Sequence, residues 1–365
     1  TLYRLCATSR NLTVILRYWF VDFNSTGSLL LLYFKNLILR RIKGAMKPYL
    51  LIALTIALMM DYLYPLHKGL LYLIHPVHLT YGLAIRLYRP YSGRLWGVAV
   101  WFSSVVPILL IYSVPIIVVH LGNPVLLVII LVYAGFMVKL SISLRLLLSI
   151  VEDYGKAINE GDLNKARGIA QQLVRRNVWI IDIGHVNSAV VESLFESLVD
   201  GFTSPLFYLM LLGPIGSLLQ RLSNTMDSAL GYTDEPYRRV GWFSAKVDTV
   251  MNYVPARLTA LLIILTGFLM GRGPRLSTYL RYRSITRSLN AGHPLAAASS
   301  VLGVRLEKIN EYSIGDGELP DITSLLTAIK LTKLTAVLFI IILALCLILI
   351  PSVKYGLIGS LIKLN

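Results

Sequence analysis

The sequence has 365 residues, 56% hydrophobic and 15% charged, with a mean hydropathy of +0.67. A soluble globular chain is typically about 45–50% apolar and about 25% charged, so too few polar groups are present to cover a water-soluble surface, and lipid must solvate part of the chain. The formal net charge of +16 does not point to a nucleic-acid partner, because most Lys and Arg residues flank apolar runs, where cytoplasmic loops of membrane proteins collect them.

Residues 1–45 have an apolar centre broken by Asp22, Asn24 and Gly27 and lack a signal-peptide cleavage site. They are expected to be an extension ahead of a functional domain at 46–365, whose motif-rich part is 150–322. Spanning the hydrocarbon core takes about 20 apolar residues in a helix. Pro48–Leu63, Leu95–Val119, Pro124–Val138 and Leu334–Ile350 are the strongest predicted spans. Gly69–Ile85 is apolar but contains His75, Pro76 and His78, and Pro255–Met270 is a weaker candidate. Phe202–Leu219 is broken by Pro205 and by Gly213-Pro214; in a membrane, such breaks are tolerated where they line a protein cavity. Cys6 and Cys346 lie in or near apolar segments and make neither a disulfide framework nor a CxxC site.

Charge suggests a topology. Arg40, Arg41, Lys43 and Lys47 precede the first span, and Arg86, Arg89 and Arg94 precede the third apolar run. Both groups favour the cytoplasm, so Gly69–Ile85 is expected to cross or dip back. The loop 120–123 then falls outside, and the polar stretch from Lys139 to about Gly201 falls inside with 271–333. The polar stretch reads as helix, with Gly161-Asp162 as break and N-cap before Leu163, Ala166, Ile169, Ala170 and Leu173 at helical spacing. No β-strand alternation and no internal repeat are visible. The predicted fold is all-α: a polytopic membrane bundle with re-entrant or broken helices and a cytoplasmic helical polar region.

Three polar constellations stand out. Glu192, Glu196 and Asp200 are spaced by four, which puts them on one helical face. Like charges so spaced repel, and a chain with only 19 acids is not expected to stack them without magnesium or a basic partner such as Arg238 or Arg257. The competing reading is a salt-bridged helix face. Asn224, Asp227, Tyr232, Asp234, Tyr237, Arg238 and Arg239 form a second cluster, which a turn with ordinary capping residues would also explain. Asp248 and Asn252 share a helical face, with Arg257 after Pro255. His75 and His78 lack a third ligand, and structural roles are expected for them, His185 and His293. No nucleotide-binding, zinc-protease or nucleophile-elbow motif is present.

Six ordered blocks carry a resemblance. His75-Pro76-Val77 is followed by Gly82, and Gly161-Asp162-Leu163 by Ala166-Arg167. Glu192-Ser193-Leu194 leads to Glu196, Asp200-Gly201 and Pro205-Leu206-Phe207. Asn224-Thr225-Met226-Asp227-Ser228 leads to Gly231-Tyr232. Phe243-Ser244-Ala245 precedes Asp248, Asn252 and Pro255-Ala256-Arg257-Leu258-Thr259-Ala260. Asn290-Ala291-Gly292-His293-Pro294 precedes Leu302-Gly303-Val304-Arg305-Leu306. Together these resemble the adenosylcobinamide-phosphate synthase family of cobalamin biosynthesis. Four departures stand out: Asn177 replaces an acid, Ser197 an asparagine, Thr249 a second aspartate, and Leu289 a proline.

The resemblance implies an ATP-dependent ligase that joins adenosylcobyric acid to (R)-1-amino-2-propanol or its O-phosphate. A carboxylate must be activated before an amine can attack it, most simply as an acyl phosphate, and Mg2+ would neutralise the triphosphate. The implied catalytic residues are Glu192, Glu196, Asp227, Asp248 and Arg257. The implied nucleotide and substrate contacts are Asn224, Tyr232, Arg238, Asn252 and Asn290, with Arg175 as further phosphate support. Glu192, Asp200 and Asp227 are the implied Mg2+ ligands. The implied location is the cell membrane, with 185–257 and 287–315 around one cavity on the cytoplasmic side. A transporter or a non-catalytic membrane assembly factor are the rival classes; a transporter usually shows paired repeats, and a scaffold needs no clustered acids.

Overall fold

In the computed structural model residues 46–66, 68–118 and 124–349 are described. The extension expected at 1–45 and the loop at 120–123 lie outside them. The helices are α1 (Met46–Leu63), α2 (Leu70–Leu73), α3 (Pro76–Leu87), α4 (Arg94–Val118), α5 (Pro124–Ser141), α6 (Leu144–Asn159) and α7 (Leu163–Leu173). There follow α8 (Ile183–Leu198), a π-helical turn (Val199–Thr203), α9 (Ser204–Leu230), α10 (Trp242–Leu269), α11 (Leu276–Tyr282), α12 (Gly292–Leu302) and α13 (Ile322–Leu349). The fold is an all-α membrane bundle: Arg94–Ile116, Val125–Asn159, Ile183–Leu230, Trp242–Leu269 and Ile322–Leu349 are long and apolar enough to cross a membrane, and Tyr49–Leu63 is a shorter apolar helix.

Several expectations are corrected. Two three-residue strands exist, β1 (Leu306–Lys308) and β2 (Tyr312–Ile314), paired antiparallel with Glu307 opposite Ser313; they are too short to show a period-2 pattern. Pro255 does not open a helix but lies inside α10, and α13 begins twelve residues before the apolar run at Leu334. Gly69–Ile85 breaks at His75, whose Nδ1 accepts the Val77 N–H at 3.3 Å and starts α3 with proline in its first turn. The 12 residues of α3 rise only about 18 Å, too little to cross a core about 30 Å thick. Lys139 does not open a solvated stretch. It is 2% exposed and donates to Asp61 at 2.9 Å, and Asp61 also accepts the Arg145 N–H at 2.9 Å. A buried charge survives only when it is paired, and this pair pins α1 to α5.

One apolar core runs through α6, α8, α9, α12 and α13, with Tyr154, Phe195, Leu198, Phe202, Leu206, Leu295 and Leu325 fully buried. Tyr154 donates to Asn187 at 2.6 Å, and Asn187 donates to the Pro320 carbonyl at 2.8 Å, so the start of α13 is tied to α8. A second core joins α3 and α4 to the C-terminal half of α9 through Val100, Val105, Leu218, Leu222 and Met226.

Candidate active site

The site depends on a reversal inside α9. Gly213 has φ 72° and ψ −165°, a conformation essentially restricted to glycine. Pro214 follows it and begins a second half-helix, a position proline favours. The chain folds back here. A Cβ placed on Gly216 would lie 2.7 Å from the Tyr208 carbonyl, and one on Gly201 would lie 3.7 Å from Arg221 Nη1. An unbroken α-helix would separate Gly201 from Arg221 by about 30 Å. The expected broken helix is therefore present as two half-helices, and their return brings Asp200 back to the level of Asp227.

The π-turn carries Asp200; such turns concentrate at functional sites. The Ser143 N–H donates to the Gly201 carbonyl at 2.9 Å and fixes it. Asp200 lies within electrostatic reach of Asp248, Glu196, Asp227 and the Arg221 cation. On α10, Asp248 Oδ1 accepts from Asn224 at 3.1 Å and from Asn252 at 2.9 Å, and Gln220 donates to Asn252 at 3.2 Å. The Gln220 Oε1 is buried without a partner among the described residues. Asp227 projects over Gly231, where a Cβ would lie 1.9 Å from its Oδ1. Arg175 is the cation that faces Asp227.

Glu192 belongs to a different set. It is 1% exposed and paired with Arg176; Ser188 and Tyr312 each donate to it at 2.7 Å. Ser188 also accepts the Glu307 N–H at 2.7 Å, so this network docks the β-hairpin on α8. Burial, reinforced by the Glu192 and Glu196 charges, pushes the Tyr312 hydroxyl well above its usual range and keeps it a donor. Glu196 stands between the two sets, near Glu192, Arg176 and Lys308. The acids at 192, 196 and 200 thus begin on one face but serve two neighbourhoods, because the π-turn rotates Asp200 toward α10.

Arg257 stacks over Tyr253 at 3.5 Å and donates to the Tyr253 carbonyl at 2.7 Å and to Asn290 and the Leu289 carbonyl at 3.3 Å each. Asn290 donates to the Thr249 carbonyl at 2.9 Å. These two residues clamp the 289–290 loop onto α10. His293, behind them, accepts or donates with Tyr279 at 3.0 Å, and burial with the nearby Arg257 and Arg283 pushes its imidazole down to about 4, so it is neutral near pH 7. Tyr232 packs its ring against Arg175, 4.6 Å from ring centroid to guanidinium, and against Tyr237. Arg238 instead lines a separate cavity with Arg94 and Arg239. Asn177, where the resembling family has an acid, spends its side chain on the Trp179 N–H at 3.0 Å.

Sequence reasoning missed Arg221, Gln220 and Ser188. Arg221 was hidden in an apolar segment, and its three-residue offset from Asn224 was the available signal. Among the described residues no three of His, Cys, Asp and Glu are placed to hold a metal ion alone. Mg2+ bound with a nucleotide needs only one or two carboxylates beside phosphate and water oxygens. Asp200, Asp227 and Asp248 suit that chemistry; Glu192, already held by three donors, does not offer a free carboxylate.

Residues 54–348 match the CobD/Cbib protein family. A probable cobalamin biosynthesis protein CobD of Aeropyrum pernix is 42% identical over 266 residues, covering 72% of this chain and 82% of the relative. Its counterparts are 34% identical in Methanothermobacter thermautotrophicus, over 76% of this chain and 92% of the relative, and 33% in Pyrococcus furiosus, over 80% and 98%. No solved structure matches. The chain belongs to the CobD/Cbib family, whose relatives are named as cobalamin biosynthesis proteins.

Proposed function

We propose that this chain makes an amide bond in cobalamin biosynthesis, joining adenosylcobyric acid to (R)-1-amino-2-propanol or its O-phosphate at the expense of ATP, on the cytoplasmic side of the cell membrane. The observation that carries the reading is the convergence of Asp200, Asp227 and Asp248 with Arg175 and Arg221, created by the reversal at Gly213. An apolar hairpin that served only for anchoring would gain nothing from three acids at its base, since such groups are costly near lipid.

The chemistry needs a phosphoryl group placed on the substrate carboxylate, then an amine placed on the acyl carbon. Asp200 and Asp227 would hold Mg2+, which when bound supplies charge neutralisation for the triphosphate. Arg175 and Arg221 would stabilise the phosphoryl oxygens as negative charge shifts onto the leaving group. Asn224 and Asn252 both donate to Oδ1 of Asp248 and so fix the carboxylate, leaving Oδ2 without a donor among the described residues. That oxygen would take the proton from the attacking amine as phosphate leaves the acyl carbon with the C–O electron pair. The test is purified chain with adenosylcobyric acid, aminopropanol or its phosphate, and Mg-ATP, with the product read by mass. Product that disappears in Asp248→Asn supports the reading; no product from the unaltered chain at saturating substrates overturns it.

A further inference from the structure

Outside the acid cluster lies a solvent-open surface pocket of about 590 Å³, lined by the exposed residues Gly93, Arg94, Leu95, Glu235, Arg238 and Arg239. We propose that this pocket binds the phosphate group of an anionic ligand, a phosphomonoester or polyphosphate, through Arg94, Arg238 and Arg239.

None of the three guanidiniums makes an ion pair or side-chain hydrogen bond among the described residues, and Arg94 only packs over the Trp242 ring at 5.0 Å. Some arginines elsewhere are spent, Arg176 on Glu192, Arg305 on Glu307 and Arg257 on a loop, whereas Arg94, Arg238 and Arg239 converge on one pocket. Three exposed guanidiniums around one pocket, with Glu235 the one acid in its lining, leave it net positive and suited to an anion. Guanidinium presents paired N–H donors in a fork that matches phosphate oxygens.

The backbone holds this spacing. A Cβ on Gly97 would lie 2.0 Å from the Val240 carbonyl, so only glycine lets the first turn of α4 press against the segment that carries Arg238 and Arg239. Arg94 is thereby fixed opposite them. The same turn offers its first N–H groups, which a helix leaves without intrahelical acceptors. Trp96 and Trp242 flank the site, each under an arginine, Arg89 at 4.2 Å and Arg94 at 5.0 Å. Trp at the end of an apolar helix marks a membrane–water boundary, so the phosphate could belong to a soluble molecule or to a lipid headgroup.

The inference stands apart from the amide synthesis, and its test reads binding, not turnover. Full-length chain in neutral detergent is titrated with inorganic pyrophosphate without Mg2+, following Trp fluorescence and calorimetry. In parallel, chain in nanodiscs of phosphatidylcholine with or without phosphatidylglycerol is assayed for co-purifying anionic lipid. Arg238→Gln/Arg239→Gln is expected to weaken the interaction roughly tenfold or more, while Arg272→Gln, an exposed arginine elsewhere, leaves it intact. Pyrophosphate binding lost in the double variant supports the site with a soluble ligand; phosphatidylglycerol enrichment lost in the variant, without pyrophosphate binding, supports it with a headgroup. Should the variant fail to fold, the unaltered chain is treated with phenylglyoxal and mapped by mass spectrometry. Protection of Arg94, Arg238 and Arg239 by either probe is then expected. Binding indifferent to the variant, or no protection by either probe, overturns the proposal.

Discussion

Gly213→Ala tests the structural root of the site. At φ 72° and ψ −165° a Cβ is strained whatever space surrounds it, and such conformations cost of order 1–3 kcal/mol for other residues. The variant has two ways out. It can keep the reversal and lose about 2 kcal/mol of stability, roughly a thirtyfold change in the folding constant. Or it can straighten, in which case Asp200 and Asp227 move apart toward the about 40 Å that a continuous helix would impose. Either response lowers product formation, but only the second does so beyond what lost stability explains. Thermal unfolding in detergent and product mass should be measured together, beside Pro214→Ala. Removing that proline relaxes the bias against helical geometry at residue 213 yet leaves its glycine in place, so a milder effect is expected. Unchanged stability and turnover in Gly213→Ala would refute the claim that the reversal assembles the site.

Three further predictions follow from single contacts. Asp61→Asn leaves Lys139 buried beside a neutral group and should destabilise the chain by about 3–5 kcal/mol; Asp61→Leu with Lys139→Met should recover most of it in a thermal-shift assay. Asp227→Asn should abolish product with little loss of stability, since the Asp227 carboxylate accepts no hydrogen bond among the described residues, whereas Glu192→Gln should lower the melting temperature by loosening the β-hairpin. At the start of α13, bonds from Thr323 and Ser324 hold the Asp321 carboxyl down at about 2, from an ordinary 3.8. Its stabilising contribution is therefore complete above pH 3.8 and lost as pH falls through about 2. Asp321→Ala should remove typically about 1 kcal/mol at neutral pH and flatten that part of the acid profile.

Much of the fold was legible because the bilayer imposes it. Apolar runs, proline breaks and basic flanks sufficed for an all-α bundle and for the break at Gly213-Pro214. The N-cap at Asp162 was equally readable, and its side chain accepts the Lys165 N–H at 2.9 Å. What failed was information about partners. Spacing by four placed Glu192 with Asp200, but spacing cannot register a π-turn, which depends on Ser143 from another helix reaching Gly201. Lys139 read as solvated because nothing local announces Asp61, 78 residues away in sequence. Arg257 read as a catalytic residue, and spacing gave no sign that its guanidinium also donates to the Tyr253 and Leu289 carbonyls and to Asn290.

The sidedness of the site can be argued from two adjacent residues. Arg175 donates to the Ser228 carbonyl and stacks on Tyr232, while Arg176 pairs with Glu192 and donates to the Glu307 carbonyl at 3.4 Å. Consecutive residues cannot sit on opposite faces of a bilayer. The segments at 188–192, 228–232 and 307–312 therefore share one compartment, as the hairpin at Gly213 requires when it enters and returns. By the positive-inside rule the surrounding Arg167, Arg175, Arg176, Arg305 and Lys308 lead us to propose the cytoplasm for that compartment. Buried serines such as Ser223 and Ser244 are useless as reporters, both being 0% exposed. Thr233→Cys, Ser284→Cys and Ile309→Cys, all at exposed positions, should be placed one at a time in a chain with Cys6 and Cys346 replaced. An impermeant maleimide is expected to label all three only after the cells are permeabilised. Labelling of one from outside while another stays protected would break the shared compartment; labelling of all three in intact cells would keep it and move it to the outer face, away from ATP.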